Sequence, residues 1–68
     1  MEKKDIWKVE DKFKRIYKNQ QTSERRAAME DYEQLIAEPN HPWRVSLYSN
    51  WTQEDLQYMV VLLKESLR

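Results

Sequence analysis

A small, mostly α-helical domain is what this sequence predicts, and three observations carry the prediction. Glycine is absent from all 68 residues, so the chain lacks the residue that most cheaply ends helices and makes tight turns. Apolar side chains recur at helical spacing in two separate stripes. Thr52 and Asp55 have the spacing of a capping box ahead of the most apolar stretch, with Trp51 and Leu56 at the positions of a hydrophobic staple.

The first stripe, Ile6, Val9, Phe13 and Ile16, predicts a helix from about Lys4 to about Asn19. Ala28, Met29, Tyr32, Leu35 and Ile36 form a second stripe, out of phase with a straight continuation of the first. The helix must therefore break at the polar stretch from Asn19 to Ser23. Thr22 or Ser23 is the expected N-cap of a second helix ending near Ala37. So short a link predicts an antiparallel helical hairpin.

Pro39 and Pro42 stop the second helix. Trp43, Val45 and Leu47 then alternate with polar neighbours and Tyr48, which predicts a short extended segment. It is either a loop laid on the hairpin or a single strand that pairs with a second copy. The capping box predicts a last helix from Gln53 to about Leu67. The predicted fold is thus one domain over residues 1–68: a helical hairpin, an extended segment and a capped C-terminal helix.

Twelve basic and twelve acidic residues give no net charge, and no apolar run reaches the roughly 20 residues of a membrane span. The N-terminal residues lack the apolar stretch of a signal peptide, so the expected location is cytoplasmic and Asn50-Trp51-Thr52 reads as a chance glycosylation triplet. The charge is unevenly placed. Residues 1–26 carry nine basic and five acidic side chains, net +4, and residues 27–68 carry three and seven, net −4. Attraction between the two halves is the simplest expectation.

Catalysis finds little support. There is no cysteine for a nucleophile or a zinc site, and His41, the only histidine, reads as a solvated loop residue with no partner to hold it as a base. Phosphate cradles need glycine. Glu30, Asp31 and Glu33 read as the wet face of the second helix rather than a cation site, and Glu54 with Asp55 as first-turn acids. No enzyme activity, cofactor, metal or small-molecule substrate is expected.

Binding of another macromolecule is the function expected instead. Tyr58, Val61 and Leu62 fall outside the Leu56, Met59, Val60, Leu63 and Leu67 stripe, so the last helix is apolar almost all round. Such a helix is either central to its fold or covered by another molecule. Trp7 projects away from its own stripe among lysines. These features predict a small regulator or adaptor, a homodimer through the last helix, that binds a partner protein with Trp7, Trp43, Tyr58, Val61 and Leu62 as anchors. The alternative is a dimeric DNA-binding regulator that places Lys4, Lys8, Arg15 and Lys18 of the first helix on phosphates. Asp11 within that face, and Glu54 and Asp55 beside Gln53, speak against it.

Overall fold

In the computed structural model, which describes residues 6–68, helices follow one another with no strand among the described residues. Helix α1 spans Ile6–Lys12 and runs into a π-helical turn, Phe13–Tyr17; α2 spans Thr22–Ala37, α3 spans Pro42–Ser46 and α4 spans Gln53–Ser66. The expected start of the first helix at Lys4 lies outside the described residues. α4 is the central element: α1 and α2 both pack on it. The two arms of the expected hairpin meet each other where the Tyr17 and Tyr32 hydroxyls lie 2.9 Å apart.

That placement accounts for the apolar circumference of α4. Leu56, Met59, Val60 and Leu63 are buried with Val9 of α1 and Tyr32 and Leu35 of α2, and Tyr58 and Leu62 pack against the same core. Each buried aliphatic side chain contributes about 1.5–3 kcal/mol, so a single central helix concentrates much of the stabilisation.

Three local expectations are corrected. The α1 stripe does not continue through Ile16, which is exposed. Lys18 N–H donates to the Phe13 carbonyl at 2.8 Å, five residues back, and this wider turn shifts the register so that Tyr17 faces the core in place of Ile16. Thr22 and Ser23 lie inside α2, because Gln21 is its N-cap and the Gln21 N–H donates to the Glu24 carboxylate at 3.3 Å.

The third correction concerns residues 43–48, which form a helical turn to Ser46 followed by a turn at Leu47 and Tyr48 rather than an extended segment. Pro42 sits at the first position of α3, where its fixed φ suits the helix and its missing N–H costs nothing. His41 caps it, its Nδ1 accepting the Trp43 N–H at 3.1 Å. The proline that stops one helix starts the next.

α3 also solves the problem of ending α2 without glycine. The Arg44 guanidinium donates to the Leu35 carbonyl at 3.3 Å and to Gln53 Oε1 at 2.9 Å, and Gln53 Nε2 donates to the Ile36 carbonyl at 3.2 Å. Side chains thus occupy carbonyls that a left-handed glycine turn commonly serves, and a cation stands at the negative end of the α2 dipole.

The start of α4 is tied down by Asp55, only 4% exposed. Thr52 Oγ1 accepts the Asp55 N–H at 3.1 Å, and Asp55 Oδ2 accepts the Thr52 N–H at 2.9 Å. The same oxygen pairs with Lys8 Nζ at 3.3 Å, and that ammonium donates to the Asn50 carbonyl at 2.7 Å. Beside this knot, Trp51 stacks on Tyr32, and Tyr48 meets both rings edge-on. Lys12 Nζ lies 4.6 Å from the Tyr48 ring centre and donates to the Tyr48 hydroxyl at 3.3 Å. That hydroxyl donates to Tyr32 at 3.2 Å, so three buried or half-buried phenols satisfy one another.

Burial raises the Tyr17 hydroxyl above its ordinary pKa of 10.0, and burial together with hydrogen bonds to Tyr17 and Tyr48 raises that of Tyr32 much further. A group whose folded pKa is raised stabilises the fold below its unfolded pKa and loses that contribution as pH rises beyond it. The free energy of unfolding is therefore expected to hold steady to about pH 9 and to fall above about pH 10. Denaturant titrations across this range on the native chain and Tyr32→Phe check it: the variant should lose stability less steeply, and parallel curves would contradict the role of Tyr32.

Asp55→Ala is expected to cost about 2–4 kcal/mol, because it uncaps α4 and strands Lys8, whereas Thr52→Ala should cost about 1 kcal/mol. Urea unfolding followed by circular dichroism measures both, and equal losses would mean that the Lys8 pair contributes nothing.

Candidate functional site

A short helix normally turns its charged residues to water and its apolar ones inward; α3 does the reverse. Arg44 reaches back to α2 and α4, while Val45 and Leu47 are each 67% exposed and Trp43 is 46% exposed. At about 100° per residue, Trp43 and Leu47 lie one turn apart on one side of α3, Val45 lies on the other, and Ser46 stands between them. The inner edge of Trp43 is held by the His41 ring, T-shaped to it with centres 5.5 Å apart. Arg44, His41 and Pro42 hold α3 in place, so its exposed apolar side chains are not what anchors it.

The exposed charges of the chain around α3 are mostly acidic in sequence, while Lys12 of α1 stands over Tyr48 at the end of the turn that follows α3. Residues 27–63 contain six acidic residues and one basic one, Arg44. Asp55 is consumed by Lys8 and Arg44 by the end of α2, which leaves Glu30, Asp31, Glu33, Glu38 and Glu54 exposed. Glu38 directly follows α2, and Glu54 adjoins Gln53, whose side chain accepts from Arg44 of α3. Arg26, the nearest basic residue along α2, is roughly 16 Å of helix from Ala37.

The five expected anchors divide. Trp7 is 64% exposed, Trp43 and Val61 are also exposed, and they stand on α1, α3 and α4 respectively. Tyr58 instead packs on the core, and its hydroxyl donates to Glu10 Oε2 at 2.7 Å, one turn beyond Trp7; that bond to a carboxylate raises the Tyr58 pKa. Leu62 packs on the core as well, so a charge placed there would damage the fold. The expected surface on α4 thus narrows to Val61. Val45 and Leu47 were not among the anchors read from the sequence; the usable signal was Pro42 as a helix start, which turns an alternation into a helical turn.

The basic residues of the first helix are largely engaged. Lys8 is held by Asp55 and Asn50, Lys12 lies over Tyr48 and Trp51, and Arg15 pairs with Asp11 at 2.7 Å. Lys18 is exposed, and Lys4 lies outside the described residues. His41, expected to be a solvated loop residue, is the α3 cap. Among the described residues, no three His, Cys, Asp or Glu side chains gather to hold a metal ion, and no helix is long and apolar enough to cross a membrane. No protein-family model, no curated protein and no solved structure matches this chain.

Proposed function

We propose that this protein is a small, non-enzymatic adaptor or regulator of the cytoplasm that docks a partner protein on the exposed apolar side chains of α3. The inversion of that helix carries the reading: Arg44 serves the fold, while Trp43, Leu47 and Val45 are left to water. A half-exposed tryptophan backed by a neighbouring ring is the kind of side chain that dominates interface energetics. The DNA-binding alternative draws less support, since Lys8 and Arg15 already have carboxylate partners. Self-association through α4 draws little, since Val61 is the one strongly exposed apolar residue of that helix.

A photo-crosslinking amino acid at Val45, expressed in the source organism, tests the reading against the same amino acid at Glu30 on the acidic face of α2. A discrete adduct from position 45, absent from position 30 and lost when Leu47→Ser is added, is the expected outcome. The same adducts from both positions, or none from either, would remove α3 as a docking face.

A further inference from the structure

We infer that α3 is a proton-sensitive element, closed while the His41 imidazole is neutral and opened when that ring takes up a proton. The cap itself carries the inference. His41 Nδ1 accepts the Trp43 N–H at 3.1 Å, so the lone pair that would bind a proton is the lone pair that starts the helix. A neutral imidazole has one acceptor nitrogen and an imidazolium has none, so neither a ring flip nor a change of tautomer restores the bond. Histidine is the side chain whose ordinary ionisation falls between about pH 5 and pH 8, and His41 is the only one in the chain.

The position leaves α3 little else to start from. Pro42 has no N–H, so the Trp43 N–H is the first donor of the helix; the next two, from Arg44 and Val45, are taken by the His41 carbonyl at 2.9 and 3.2 Å. Five residues fall well short of the roughly 12–15 at which an isolated helix is marginal, so α3 is kept by its cap and by Arg44. Loss of the cap loosens the Arg44 bonds to the Leu35 carbonyl and Gln53, and an imidazolium beside the N–H groups of a first turn adds unfavourable charge. The ionisable groups of the neighbouring elements do not hold the ring. Glu38, after α2, accepts the His41 N–H through its carbonyl at 3.0 Å, and its carboxylate accepts Gln34 Nε2 at 3.3 Å. On α4, Asp55 is held by Thr52 and Lys8, and Glu54 makes no bond with the ring. Among the described residues no ion pair and no second side-chain hydrogen bond reaches the imidazole. Opening stays local, because Leu56, Met59 and Leu63 lie in a core to which α3 contributes no buried residue. The opening is a property of the free chain; that it would withdraw Trp43 and Val45 from a partner rests on the docking reading above.

The ring contact between His41 and Trp43, with centres 5.5 Å apart, is compatible with an imidazolium, so the change is read on the backbone rather than on indole emission. The test is nuclear magnetic resonance on the full isotope-labelled chain from about pH 8 to about pH 5, with the Cα shifts of Trp43 to Ser46 reporting the helix and the ring carbon shifts of His41 reporting its proton. As the ring protonates, the ratio of open to closed α3 should rise about fivefold, the effect of removing a side-chain cap, while the shifts of Leu56 and Leu63 stay in place. His41→Asn, an acceptor that does not titrate in this range, should hold α3 closed throughout, and His41→Ala should leave it loosened to the same degree at both ends. A ring that protonates while the α3 shifts stay put overturns the inference, as does pH dependence that persists in the asparagine variant. Core shifts that move together with those of α3 overturn it too, since the change would then be global. Failure here leaves an adduct at Val45 untouched, and a missing adduct leaves the switch standing, because the shifts are read without a partner.

Discussion

One oxygen atom, Oδ2 of Asp55, holds together the start of α4 and the middle of α1. It accepts the Thr52 N–H and pairs with Lys8, and Lys8 in turn closes the turn ahead of α4 through the Asn50 carbonyl. A carboxylate that is 4% exposed is costly unless it is both paired and hydrogen-bonded, and here it is both. The knot fixes where α4 begins and how α1 lies across it. Because α4 is the helix on which the other two pack, the register of Leu56, Met59 and Leu63 in the core follows from it.

The rest of the fold shows how a short chain without glycine or cysteine reaches closure. Its helix ends are served by side chains: Thr52 and His41 cap two starts, and Arg44 and Gln53 take the carbonyls at the end of α2. No non-glycine residue among those described takes a positive φ, so no turn depends on left-handed backbone. Four aromatic rings, Tyr17, Tyr32, Tyr48 and Trp51, fill the space between α1, α2 and the turn before α4, and their hydroxyls satisfy one another. Aromatic pairs of this geometry add about 0.5–1.5 kcal/mol each beyond their burial, a useful supplement where aliphatic core is scarce.

How much of this was legible depended on the range of the forces involved. The α4 capping box and the end of α2 at Ala37 are local and were readable from neighbouring residues. The start of α4 follows from Thr52 and Asp55 alone. The π turn was not readable, because Ile16 and Tyr17 are both acceptable core residues and only the Tyr32 hydroxyl across the fold decides between them. The α3 helix was misread because three alternating apolar residues fit a strand as well as a helical turn, and Arg44 finds the end of α2 only once the chain has folded back. Lys8 likewise reads as a solvent-facing base until Asp55, far along the chain, is brought beside it.

The candidate surface arises from those same long-range contacts. The net −4 of residues 27–68 is legible in the sequence, and folding further engages specific bases: Arg44 at the end of α2, and Lys8 at Asp55. The ionic side chains of residues 27–63 that stay exposed are carboxylates. One set of contacts therefore closes the core and, through Arg44, holds α3 while its apolar side chains stay in water. Val45 and Leu47 gain little from folding at 67% exposure, so the stability of the fold does not account for their apolar character.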